Sequence, residues 1–187
     1  MFIQTEDTPN LNAMKFIPGI IVSQDETVFF RNIEETQNRS LLAFKLFKIE
    51  YVVSVFFGYD FITVTKSEKI LWDILKPEIL MVIMDHILAE LPIIEQVSEA
   101  QLVNYSELDL SDIEKKIVEI INNRIRPAVA MDGGDIIYHN FVEGVVYLEL
   151  HGACSGCPSS EITLKNGIES MLKHFIPEIK SVKAVNS

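Results

Sequence analysis

The feature that most limits what this chain can become is the run Leu150-His151-Gly152-Ala153-Cys154-Ser155-Gly156-Cys157-Pro158-Ser159-Ser160. Cys154 and Cys157 are the two cysteines of the 187-residue chain, and two residues separate them. The apolar alternation of Val145–Leu150 leads into this loop as a strand. Pro158, followed by Ile162, Leu164, Ile168, Met171 and Leu172 at helical spacing, leads out of it. The fold must therefore present both sulfurs between a strand and a helix. Thiolates are soft ligands and strong nucleophiles, so a C-x-x-C loop is built to hold a metal or to do redox chemistry. Tetrahedral zinc and iron–sulfur sites usually take four protein ligands. One chain brings two thiols and nothing else comparably soft. The other half of such a site is expected from a second chain.

Charge and hydropathy exclude several other functions. Hydrophobic residues make up 48% and charged residues 23%, enough apolar material for folded cores. The net charge is −11, and it is evenly spread: residues 1–95 hold 8 of the 16 basic and 14 of the 27 acidic side chains. Neither half carries a basic stripe, so neither nucleic acid nor an anionic membrane surface is an expected partner. The most apolar stretches, Leu41–Phe57 and Ile79–Ile94, are broken by Lys45, Lys48, Glu50, Asp85, His86 and Glu90, which argues against a spanning helix. The opening Met-Phe-Ile-Gln-Thr-Glu-Asp has neither a signal-peptide pattern nor the Arg-rich look of a transit peptide. Two cysteines at this spacing make no disulfide framework, so a reducing interior is expected. A bacterial cytoplasm fits best, with the mitochondrial matrix as the alternative.

In chain order, Phe2–Thr5, Ala13–Ile17 and Glu26–Arg31 read as short strands. Ser40 caps a helix with Leu41, Leu42, Phe44, Leu46 and Phe47 on its apolar side. Val52–Phe57 and Phe61–Thr65 form a hairpin about Gly58-Tyr59-Asp60, and Pro77 opens a second helix. This half, residues 1–92, is an α+β domain, and 93–110 reads as a linker. The second domain, 111–187, opens on Ser111-Asp112-Ile113-Glu114, a capping-box pattern, with Ile113, Ile117, Ile120 and Ile121 as the helix stripe. Pro127 ends or kinks that helix. Asp132-Gly133-Gly134-Asp135 is a sharp loop, and Asp135–Phe141 and Val145–Leu150 pair through Glu143-Gly144. Ser159 and Ser160 offer a cap for the helix after the cysteines, and Lys180–Val185 is a last strand. The fold class is α+β, two small domains, the second in the order helix-strand-strand-CxxC loop-helix-strand.

Each candidate functional residue has a competing role. Cys157, just ahead of a helix start, should have its thiol pKa lowered by the helix N-terminus. Glycine and serine neighbours argue for an exposed cysteine loop. Thioredoxin-like dithiols also sit before a helix, but here a hairpin precedes the loop and no βαβ pattern is evident. A zinc site bridging two chains would use the same ligands. His151 is a third-ligand candidate, although a strand end beside a turn suits a surface or supporting role. Asp132 and Asp135 are candidate paired carboxylates, with turn-shaping as the plainer role. His86, His139 and His174 are scattered and not expected to bind metal. Phe29-Phe30 and Phe56-Phe57 read as strand core, and Trp72 as core packing in preference to a partner contact.

Taken together, the chain resembles the Nfu-type iron–sulfur scaffold and carrier proteins. Arg126-Pro127, Asp132-Gly133-Gly134-Asp135 and the run Leu148–Ser160 are similar to the NifU C-terminal domain. Phe2–Glu6, Thr8-Pro9-Asn10, Met14–Gly19, Val55–Gly58 and Phe61–Val64 are similar to the Nfu N-terminal domain. Leu11 stands where that family often has a second proline. The resemblance implies that Cys154 and Cys157 bind an iron–sulfur cluster, usually [4Fe-4S], shared across a homodimer. It implies that upstream assembly proteins supply this cluster and that apo acceptor proteins receive it. It also implies a carrier, not an enzyme, with the N-terminal domain contacting partners.

Overall fold

The computed structural model describes residues 2–24, 26–95, 110–155 and 158–185. The chain divides into two compact units, residues 1–102 and 103–187, each a mixture of helices and sheet. The expected linker, 93–110, falls mostly outside the described residues.

In the N-terminal unit, strands β1 (Gln4–Asp7), β2 (Ala13–Ile17), β3 (Val28–Phe30), β4 (Val52–Phe57) and β5 (Ile62–Lys66) form one antiparallel sheet ordered β1-β2-β5-β4-β3. β1 lies two residues later than its sequence pattern suggests. The ladder that pairs Gln4 with Ile17 and Glu6 with Lys15 fixes it there. Helices α1 (Leu41–Phe47) and α2 (Trp72–Leu88) share one apolar core with the sheet. Leu42, Leu46, Leu75, Ile79 and Ile83 meet Phe16, Phe30, Phe57, Ile62 and Val64 there. Phe56 packs among Phe29 and Phe61. Trp72 is half-buried against Phe16, and its indole N–H donates to the Leu11 carbonyl at 3.0 Å.

Pro77 does not open α2. The helix starts at Trp72, after Leu71, whose side chain makes no capping bond. The start is therefore set by the docking of Trp72 and Leu75, without a cap that sequence could signal. Pro77 is carried inside the helix, where its missing N–H frees the Asp73 carbonyl; both residues are exposed, so water can satisfy that group.

Ser40 does cap α1: its hydroxyl oxygen accepts from the Ala43 N–H at 3.0 Å. The same hydroxyl donates to the Ile93 carbonyl at 2.5 Å, and the Glu95 N–H donates to the Arg39 carbonyl. Residues 93–95 are thus tied to this unit, and Ile93 and Ile94 pack against its core.

The C-terminal unit begins with α3 (Asp112–Ile120), whose Ser111 and Glu114 form the reciprocal capping box. A π-helical turn over Ile121–Ile125 then joins it to α4 (Arg126–Met131). Proline cannot bond back to the preceding turn, and the wider π turn absorbs the mismatch ahead of Pro127. The helix thus survives its proline. Strands β6 (Gly134–Val142) and β7 (Val145–Gly152) form the hairpin. Its two turn residues, Glu143 and Gly144, both have positive φ, 51° and 87°, as a type I′ turn requires. Helix α5 (Pro158–Phe175) then crosses to β8 (Ser181–Ala184), which lies parallel to β7. β7–α5–β8 is therefore a βαβ unit, contrary to the reading that no such pattern surrounds the cysteines. The sequence concealed it because β8 is short and parallel pairing leaves no turn signal. Along β7, Val146, Leu148 and Leu150 enter a core with Ile117, Ile121, Val129, Ile136, Ile168 and Leu172.

Ser40 joins two segments of the N-terminal unit, so Ser40→Ala should cost about 1–2 kcal/mol. Thermal denaturation followed by circular dichroism should show the N-terminal transition lowered by several degrees, and Ser40→Thr should recover part of that loss.

Candidate metal centre

The cysteine loop is built by two glycine-bearing segments folded against each other. Gly152 closes β7 in the left-handed region, φ 64°, and pairs across the hairpin with Gly134. The next residue, Ala153, donates its N–H to the Gly133 carbonyl at 3.1 Å, and the Ser155 N–H turns back to the Gly152 carbonyl at 3.1 Å. Cys154 is thereby folded down onto β6. A Cβ at Gly134 would lie 2.5 Å from the Cys154 Sγ and 2.7 Å from the His151 carbonyl oxygen, closer than atoms approach. Glycine at 134 is therefore needed for the sulfur to lie where it does, and D-G-G-D forms one wall around the first cysteine.

Cys154 is only 5% exposed and belongs to the apolar core, so the expected exposed loop does not extend to this residue. Gly134 and Gly152 allow this close packing. Burial, reinforced by the carboxylates of Asp132 and Asp135, pushes the Cys154 thiol up to about 12. Gly156 and Cys157 lie outside the described residues. Helix α5 starts at Pro158, which puts Ser159 and Ser160 in its first turn instead of at the cap.

Asp135 is engaged by Arg126. Asp135 is buried and accepts two bonds from Arg126, Nε to Oδ1 at 2.8 Å and Nη2 to Oδ2 at 2.6 Å. Its Oδ1 also accepts from the Ile136 N–H at 2.8 Å. A buried carboxylate paired this way is costly to break from one side. The Arg126–Asp135 fork pins the start of α4 to the start of β6, one residue beyond the glycine that seats Cys154. Sequence reading missed this pair, although the short interval from Arg126-Pro127 to D-G-G-D was its signal.

His151 stands with its Nε2 3.0 Å from Oε1 of Glu149, and His139 Nε2 is 2.8 Å from Oε2 of the same carboxylate. His86 is buried, with Nε2 3.0 Å from the Pro92 carbonyl oxygen, and burial lowers its pKa. His174 stacks edge-on against Phe175. Among the described residues, no group of three or more His, Cys, Asp or Glu side chains is placed to hold a metal ion. Among the described residues, likewise, no helix is long and apolar enough to cross a membrane.

The buried thiol can be tested directly. With its pKa raised from 9.0 to about 12, Cys154 holds roughly 1000-fold less thiolate at pH 8 than the unfolded chain does. Alkylation at Cys154, read by peptide mass spectrometry, should therefore be at least ~100-fold slower in folded than in urea-unfolded protein. Gly134→Ala should displace the sulfur and speed that labelling. The sign for stability follows from linkage: the folded state keeps its proton to higher pH. The stabilisation is complete below about 9 and is lost as pH rises towards about 12.

Comparison with known proteins covers both units. Residues 117–183 match the NifU-like domain, and residues 3–90 match the family described as scaffold protein Nfu/NifU N terminal. The chain is 48% identical over 186 residues to the human protein named NFU1 iron-sulfur cluster scaffold homolog, mitochondrial; the match covers 99% of this chain and 72% of that protein. It is 45% identical to the protein of the same name from Drosophila sechellia, covering 99% of this chain and 65% of that one. The solution NMR structure of a NifU-like protein from Saccharomyces cerevisiae aligns with a TM-score of 0.47 at 29% identity, over 52% of this chain and 87% of that one. With both of its units matched, and with a relative of this identity spanned over most of its length, the chain belongs to the Nfu family of NifU-like proteins.

Proposed function

We propose that this protein is an iron–sulfur cluster scaffold and carrier. Cys154 and Cys157 hold the cluster, [4Fe-4S], between two copies of the chain. Upstream cluster-assembly proteins supply it, and apo acceptor proteins take it away. The observation that carries this reading is the C-x-x-C at the junction of β7 and α5, in a chain that has no other cysteine. Two thiols are half of a four-thiolate set, and the names of the matched relatives as cluster scaffolds support the same assignment.

The surroundings of Cys154 suit a cargo that must leave. Iron takes a thiolate, so loading requires Cys154 to give up its proton and its seat against Gly134. Unloading reverses both changes. Each acceptor thiolate that replaces Cys154 at iron lets the sulfur regain a proton and return to the core. Burial of the free thiol therefore favours release, which a rigid four-cysteine cage would oppose. The chain acts as a carrier and makes or breaks no bond in a substrate other than the iron–thiolate links. The mitochondrial names of the relatives favour the matrix over the bacterial cytoplasm expected from the N-terminus.

A dithiol oxidoreductase is the second reading, favoured by the β7–α5–β8 crossover that brackets the cysteines. A zinc-bridged interaction module would use the same two thiols without sulfide.

Anaerobic reconstitution with iron and sulfide separates the three. About two iron and two sulfide per chain, in a dimer, is the expected result. Zinc without sulfide, or a metal-free monomer cycling a Cys154–Cys157 disulfide, would reject the carrier reading. Cys154→Ala and Cys157→Ala should each abolish cluster binding with the circular dichroism spectrum unchanged. A single variant that retains a full cluster would rule out the shared site. A chain cut near residue 100 should leave a C-terminal piece that still takes the cluster.

A further inference from the structure

Helix α2 buries one face and leaves an apolar line on the other. Leu75, Ile79, Ile83 and His86 face inwards. On the outer face, Ile74, Met81 and Leu88 recur every seven residues with 65%, 58% and 65% of their surface exposed, and Leu71, just before the first turn, is 69% exposed. Single exposed apolar residues are ordinary on a protein surface. Three in line along roughly 21 Å of helix, with Leu71 just ahead of them, form a seam of the kind that receives another helix. Beside it, four residues on from Ile74 and Met81, stand the exposed carboxylates of Glu78 and Asp85. Within α2 itself no lysine or arginine lies on this face. Lys76, the one lysine within α2, lies roughly 200° around the helix from Ile74 and is half-buried.

The charges discriminate among possible occupants. A second copy packed parallel would set Glu78 against Glu78 and Asp85 against Asp85. Packed antiparallel about Met81, it would bring Glu78 to within one residue of the partner copy's Asp85. Both arrangements place like charges along the seam and are disfavoured. An anionic lipid surface meets the same repulsion, since helices that lie on membranes carry Lys and Arg on the polar side.

We propose that the outer face of α2 docks a basic amphipathic helix of a partner protein. Its apolar side chains seat on Leu71, Ile74, Met81 and Leu88, and its Lys or Arg side chains pair with Glu78 and Asp85. This surface lies in the N-terminal unit, and the inference does not rest on the cluster reading.

The test uses the full chain without cluster and two fluorescein-labelled three-heptad peptides. Both carry leucine along one face; one is flanked by lysine and the other by glutamate at the same positions. Fluorescence anisotropy should show the lysine peptide binding and the glutamate peptide not. Met81→Glu should weaken binding by at least ~tenfold. Glu78→Lys combined with Asp85→Lys should exchange the preference, so that the glutamate peptide binds instead. Ile74→Gln with Leu88→Gln provides a second, milder variant should Met81→Glu fail to fold, as checked by circular dichroism. No binding to either peptide, binding indifferent to these substitutions, or a failure of the charge exchange would each overturn the proposal. So would a dimer in sedimentation that Met81→Glu dissociates, which would assign the seam to a second copy. Retention on phosphatidylserine vesicles abolished by the same substitution would assign it to a membrane and overturn it equally.

Discussion

The seating of Cys154 in the C-terminal unit depends on the close approach of its sulfur to the backbone of Gly134. That approach holds only because three neighbouring constraints agree. The Ala153 N–H is bonded to the Gly133 carbonyl, Gly152 adopts a left-handed turn, and the Arg126–Asp135 fork holds β6 to α4. The arrangement explains why two short motifs about twenty residues apart belong together. D-G-G-D is the counterpart surface of the first cysteine, and Arg126-Pro127 supplies the clamp that keeps that surface in place. The π turn ahead of Pro127 belongs to the same system, because it lets one continuous helix carry Arg126 into position.

Most of the architecture was legible in the sequence because local chemistry decided it. Ser40 and the Ser111–Glu114 box are caps that side chains announce, and Glu143-Gly144 is a turn that two positive φ angles demand. Where the chain followed tertiary packing, local signals misled. α2 starts at Trp72 because an indole docks on Leu11 and Leu75 enters the core, so the proline that looked like a start lies inside the helix. The parallel pairing of β7 and β8 is likewise a long-range event, and an alternation of four residues cannot reveal its direction.

The candidate site was legible by residue type and less so by environment. Cys154 stood out as a ligand from its spacing to Cys157. Its burial did not, because glycine and serine mark close packing as readily as exposure. In the same way Asp132 and Asp135 read chiefly as turn-shaping residues, at equal spacing and with nothing to separate them. The difference between them is that one finds an arginine nine residues back, which only the folded helix brings within reach.

A carrier must bind its cargo well enough to receive it and weakly enough to release it, and a buried thiol bears on that balance. An exposed low-pKa cysteine would gain nothing by losing iron, since its thiolate is stable in water. A cysteine whose resting state is a protonated sulfur inside an apolar core regains both its proton and its packing on release. On the proposed reading, the free energy that would otherwise retain the cluster is offset by the folding of the empty site. Affinity is then set by how firmly Gly133, Gly134 and the Arg126–Asp135 clamp hold that empty state. Residues that never touch iron would thus tune transfer by stabilising the form of the protein that has let it go.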